Sequence, residues 1–173
     1  MQRLLTAYVL ASVLASVVAL PALAAETASP ASAIEQQFRR GDAALAQQRL
    51  AQALAQQPAD ASLRFLQGVI LSETGHSADA SLLYERLTQD YPELPEPYNN
   101  LAVLQAAAGE LAVARDLLET ALRLDPGYRT AHQNLGDVYV RLAQRAYEAA
   151  AGPSPEPGLQ TRLRLARELA AIR

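Results

Sequence analysis

Residues 95–128 read PEPYNNLAVLQAAAGELAVARDLLETALRLDPGY, and the spacing of their apolar side chains decides the fold. Tyr98, Leu101, Ala102 and Leu104 fall on one face of a helix. Gly109 ends that helix, because glycine enters the left-handed conformation after a C-terminus without steric cost, and Glu110 supplies an acid near the next N-terminus. Ala114, Leu117, Leu118, Ala121, Leu122 and Leu124 then form a second apolar stripe, which Pro126 closes. Thirty-four residues thus hold two helices of about four turns with short connections.

The same punctuation recurs on either side. Gly41, Gly75 and Gly109 are each thirty-four apart, as are Ala46, Ala80 and Ala114, and Pro58, Pro92 and Pro126. Three residue types in phase over three copies, in a chain with only eight Gly and ten Pro, are the mark of a helical repeat array. The copies run over residues 25–60, 61–94 and 95–128, the first with a weakly patterned leading helix that suits an N-terminal cap. A fourth copy opens with His132, Leu135, Gly136 and Tyr139, then loses the register, so residues 129–151 read as one long degenerate helix. Pro and Gly crowd residues 152–158 into a loop. Leu159, Leu163, Ala166, Leu169, Ala170 and Ile172 then return at helical spacing beside Arg162, Arg164, Arg167 and Arg173, which predicts a capping helix over 159–173 with a polar outer face.

These residues resemble the tetratricopeptide repeat. The copy from Ala61 matches the family at Gly68, Gly75, Ala80, Tyr84 and Pro92, with Gln67 at the usual Leu; the copy from Pro95 matches at Tyr98, Leu101, Ala102, Gly109, Ala114, Leu118, Ala121 and Pro126, with Gln105 at the usual Tyr. The run Leu94 to Ala102 is similar to a subgroup of exported bacterial members. The resemblance implies an all-α fold of antiparallel helix-pair repeats stacked into a right-handed superhelical solenoid. It also implies a concave groove, lined by the first helix of each pair, that holds a protein or peptide partner. The implied groove positions include Phe65, Val69, Asn99, Asn100, Val103, Gln133, Asn134, Asp137 and Arg141. Of the Lys, Arg and Asn clamp with which some members hold a peptide carboxylate, only Asn100 is present. Asn100 and Asn134 are thirty-four apart, so two readings stand: they pair with the backbone of an extended peptide while Phe65 and Val69 take an apolar side chain, or they only cap local backbone and face water.

The N-terminus reads as an address. Arg3 gives a positive start, Leu4 to Leu20 is apolar except for Thr6, Ser12 and Ser16, and Pro21 precedes the triplet Ala22-Leu23-Ala24. This is the pattern of a secretory signal peptide spanning residues 1–24, and it predicts a periplasmic mature chain beginning at Ala25, with no stable membrane insertion after cleavage. The competing reading is an uncleaved membrane anchor.

Composition narrows the function classes. All fifteen basic residues are Arg, so no P-loop lysine exists; eighteen acids give a formal charge of −3, and loss of Arg3 with the leader leaves 14 − 18 = −4, which offers nucleic acid no general attraction. With no Cys there is no disulfide, thiolate metal site or thiol nucleophile. His76 falls in a turn and His132 in a slot that predicts a packed imidazole at the core edge, so no shared metal site is expected. Carboxylate pairs such as Glu93 with Glu96 and Asp116 with Glu119 read as solvated faces, and no Ser sits at a nucleophile elbow. The sequence therefore reads as a non-enzymatic adaptor without cofactors or metals, serving envelope assembly. A structural subunit of an envelope or polysaccharide-export complex, contacting through its convex face or ends, is the alternative, and the open ends of the stack leave a homo-oligomer available.

Overall fold

The structure is a computed structural model that describes residues 29–153 and 156–172. The leader reading falls outside these residues. Eight helices and no strand occur among them: α1 (Pro30–Arg39), α2 (Ala43–Gln56), α3 (Ala61–Glu73), α4 (Ser77–Asp90), α5 (Pro95–Ala107), α6 (Leu111–Leu124), α7 (Arg129–Ala150) and α8 (Pro157–Ala170). Each helix packs on its neighbour in sequence up to α7 on α8, and α1 packs also on α3 and α5 on α7. None of these helices is long and apolar enough to cross a membrane.

Each periodic residue has one structural task, repeated three times. Gly41, Gly75 and Gly109 carry φ of 95, 85 and 90°, and the positive-φ positions among the described residues are these three. The turn they make sends the amide three residues past each first helix back into it: the Asp42, His76 and Glu110 N–H groups donate to the Gln37, Leu71 and Gln105 carbonyls. A side-chain-bearing residue would meet the left-handed penalty at each such turn. Pro58, Pro92 and Pro126 sit second in β-turns closed by Asp60 N–H to Gln57 O, Leu94 N–H to Tyr91 O and Tyr128 N–H to Asp125 O, all at 3.2 Å. Proline's fixed φ suits that position and resets the chain for the next first helix.

Ala46, Ala80 and Ala114 are wholly buried, because at these points the second helix of a pair crosses its neighbours with no room for a larger side chain. The core is accordingly divided into blocks that join each pair to the first helix of the next: Ile34, Ala46, Leu50, Leu63, Leu66 and Ile70; then Ala80, Tyr84, Leu87 and Leu101; then Ala102, Leu111, Ala114, Leu118, Ala121, Ala131 and Val138. Overfilling one block is costly. Ala114→Leu is expected to destabilise the protein by about 1–3 kcal/mol in urea unfolding, and wild-type stability would contradict this packing.

Three expectations are corrected. His132 is exposed, not packed at the core edge: its ring turns back along the first turn of α7, where Nε2 lies 3.0 Å from the Pro126 carbonyl. Helix α8 begins at Pro157, inside the stretch read as loop, because a proline in the first turn of a helix loses no hydrogen bond and has its φ already set. The outer face of α8 is not wholly polar. Leu163 and Ala166 are buried, whereas Leu165 and Leu169 are 46 and 55% exposed, and Ile172, just past the helix, is 73% exposed. The apolar residues taken as one stripe are two, on different sides of the helix.

Candidate partner-binding groove

The odd-numbered helices α1, α3, α5 and α7 line three recesses that share walls. The first, of about 310 Å³, lies between α1, α3 and the start of α5, and has Phe65, Leu66, Val69 and Pro97 for its apolar surface with Glu35 and Glu96 among its lining. The second, of about 150 Å³, is bounded by Val69, Ser72, Glu73, Tyr84, Asn100 and Val103. The third, of about 220 Å³, lies along α5 and α7 and includes Val103, Asn134, Asp137, Val138 and Arg141. Val69 belongs to the first two and Val103 to the last two, so a single trough follows the stack from α1 to α7.

Seven of the nine positions singled out from sequence line this trough: Phe65, Val69, Asn100, Val103, Asn134, Asp137 and Arg141. Gln133 is exposed and borders none of the three recesses. Asn99 does not present its side chain to the groove surface, being 3% exposed. It sits inside a relay of amides. Asn134 Nδ2 donates to Asn99 Oδ1 at 2.9 Å, Asn99 Nδ2 donates to Asn100 Oδ1 at 3.1 Å, and Asn100 Nδ2 donates to the Tyr84 hydroxyl at 3.1 Å. The relay ties α7, α5 and α4 together beneath the trough. An amide has two N–H donors and an oxygen that accepts twice, so Asn100 and Asn134 each keep one donor beyond the relay, but much of the capacity that sequence assigned to a peptide is spent between helices.

Tyr84 is the groove residue that a reading by first helices misses. It comes from α4, the second helix of its pair, is 1% exposed, and stacks at a tilt on Phe65 with ring centroids 5.8 Å apart. Burial pushes its phenol up to about 12; the Asn100 N–H on the oxygen works against this, and the Glu73 carboxylate adds to it. In the unfolded chain a tyrosine titrates near 10, so below about pH 10 both states hold the proton and this group contributes nothing to the pH dependence. Between roughly pH 10 and 12 the unfolded chain loses the proton that the folded one retains, and stability falls by up to about 1.4 kcal/mol per pH unit. Urea unfolding over this range should show a shallower loss in Tyr84→Phe than in the parent. The near-ultraviolet tyrosinate band provides a second readout as the difference between the parent and Tyr84→Phe, because the chain has seven Tyr and no Trp.

The wall contributed by α1 also escaped the sequence. Glu35 faces the first recess and pairs with Arg39 at 3.4 Å, while Arg39 reaches across to Glu73 of α3 at 2.9 Å. These exposed pairs add little stability. Their effect is to place the first repeat's cation against a carboxylate of the second.

The fold has counterparts among known proteins. A family model described as Tetratricopeptide repeat matches residues 34–95 and again 65–129. The Arabidopsis thaliana TPR repeat-containing thioredoxin TTL4 is 34% identical over 117 residues, covering 61% of this chain; the chain spans only 17% of that protein. Among solved structures, the first TPR of Spaghetti (RPAP3) bound to the HSP90 peptide SRMEEVD superposes with a TM-score of 0.59 at 17% identity, covering 66% of this chain and 90% of that one. MamA does so with a TM-score of 0.57 at 24% identity, covering 78% and 82%. The family match covers more than half of the chain and coincides with the residues whose turns and packing recur every thirty-four positions, and this chain belongs to the tetratricopeptide repeat family.

Proposed function

We propose that the protein is a periplasmic adaptor that holds an extended segment of a protein partner in the trough between α1 and α7 and serves envelope assembly. The observation that carries this reading is the row of three recesses that adjoin at Val69 and Val103, which sets successive side-chain sites for an extended peptide along three repeats. A protein of the same fold, the first TPR of Spaghetti (RPAP3), is solved with a peptide bound, which supports a peptide as the class of partner. The leader read in residues 1–24 supports the compartment. No catalytic role is part of the reading.

The relay changes which substitutions are informative. Removing Asn100 or Asn134 would disturb helix packing as well as the groove, whereas Val69 and Val103 are the shared walls of the trough. Val69→Gln with Val103→Gln, its helicity checked, should lose a partner captured from periplasm by the parent. The structural-subunit alternative has its own observation, the exposed Leu165 and Leu169 of α8 and Ile172 just past it. Under that reading the groove variant retains the partner and Leu165→Gln with Leu169→Gln loses it.

A further inference from the structure

We propose that the segment held in the trough is basic: an apolar side chain enters the recess at Phe65 while a neighbouring Lys or Arg side chain sits between Glu35 and Glu96. This rests on the groove reading above and names the chemistry of its occupant. The charged side chains lining the three recesses, among the described residues, are Glu35, Glu73, Glu96, Asp137 and Arg141. Four are carboxylates. Arg39, next to the trough, is shared by Glu35 and Glu73 and leaves that trio with a net negative charge. Glu96, on the opposite side of the recess from α1, belongs to α5, and its field reaches the half-buried Tyr128, whose phenol is raised first by burial and then by this carboxylate.

The first recess therefore combines two features that select together. Its surface of Phe65, Leu66, Val69 and Pro97 rewards burial of an apolar side chain, and its two carboxylates, carried on separate helices, reward a cation placed next to it. An acidic segment meets like charge on both sides. At about 310 Å³ the recess is at the small end for ligand sites, which suits a pair of adjacent side chains rather than a folded surface. The lone cation at the far end, Arg141, stands beside Asp137 in the third recess, so the negative charge is concentrated at the α1 end and gives the bound segment a direction.

The test uses the full chain and an array of heptapeptides, each in end-capped and uncapped form, in which a central Leu is flanked by Lys, Arg, Ala or Glu and the remaining positions are varied. Peptides with Lys or Arg beside the Leu should be retained and their Glu counterparts rejected. Solution titration of the best retained basic peptide should weaken roughly tenfold in Glu35→Gln with Glu96→Gln, about what two exposed charge pairs contribute, and the salt dependence of binding should flatten in that variant. Retention of neutral or acidic peptides as strongly as basic ones, with Val69→Gln abolishing all of it, would overturn the basic occupant and leave the groove standing. Retention only of uncapped peptides would assign the cation to a chain terminus and overturn the side-chain proposal. Binding that survives Val69→Gln, or an array with no retained peptide, would remove the groove reading and this proposal with it.

Discussion

Truncating Tyr84 to Ala is expected to destabilise the protein by about 3–5 kcal/mol, the largest effect of any single change considered for this fold. The side chain is 1% exposed and occupies the middle core block with Ala80, Leu87 and Leu101. Its loss leaves a cavity where aromatic packing on Phe65 stood, and it strips the Asn100 amide of its acceptor at the end of the relay. Tyr84→Phe separates the two contributions: it retains the ring and removes the hydroxyl, so it should cost only about 1–2 kcal/mol. Urea unfolding followed by helicity reads both. A Tyr84→Ala variant as stable as Tyr84→Phe would mean that the ring is not a packed element of the core.

The second large effect runs against helix propensity. Alanine is favoured over glycine in a helix interior by about 1 kcal/mol, so Gly68→Ala in α3 should be stabilising if only the local chain mattered. A Cβ at Gly68 would lie 2.6 Å from Tyr84 Cε1 and 2.8 Å from Cζ, closer than carbon atoms can approach, and the buried ring has nowhere to retreat. A net loss of about 1–3 kcal/mol is expected. Gly136 occupies the same repeat position two periods later, yet a Cβ there meets nothing within 4 Å, so Gly136→Ala should gain roughly 0.5–1 kcal/mol. The sign of the Gly68 effect should also reverse in a Tyr84→Ala background, where the added methyl group finds the vacated ring volume. Destabilisation that persists without the ring would place its cause elsewhere.

These two residues show what the sequence made legible and what it did not. The turns and crossings were readable because each depends on one residue's backbone or size: Gly75 supplies a positive φ, Pro92 the second position of a turn, Ala80 a side chain small enough for zero exposure. Such properties repeat with the period and survive without knowledge of any partner. The relay from Asn134 through Asn99 and Asn100 to Tyr84 was not readable, since which amide faces which depends on how helices α4, α5 and α7 cross in space. Sequence therefore assigned Asn99 to the surface of a groove that it supports from beneath. Glu35 was missed because α1 carries too few apolar residues to fix its register from pattern alone, and its position became clear only where the helix packs on α3. In α8 the fault was one of phase: Leu169 was counted with Leu163 and Ala166 but lies on another side of the helix, so counting periodic apolar residues merged a packed face with an exposed one.

Under the proposed function the concave trough, and not another apolar surface, meets the partner. Photo-crosslinking in cells tests it most directly, with the crosslinking residue placed singly at Val103 inside the trough and at Val113 or Leu82 outside it. The exposures are comparable, 45% for Val103 against 46% for Val113 and 55% for Leu82, so the comparison controls for accessibility. A discrete crosslinked protein is expected from Val103 and not from Val113 or Leu82. The same adduct from Val113 or Leu82, with none from Val103, would contradict it and move the contact to the outer face of the stack.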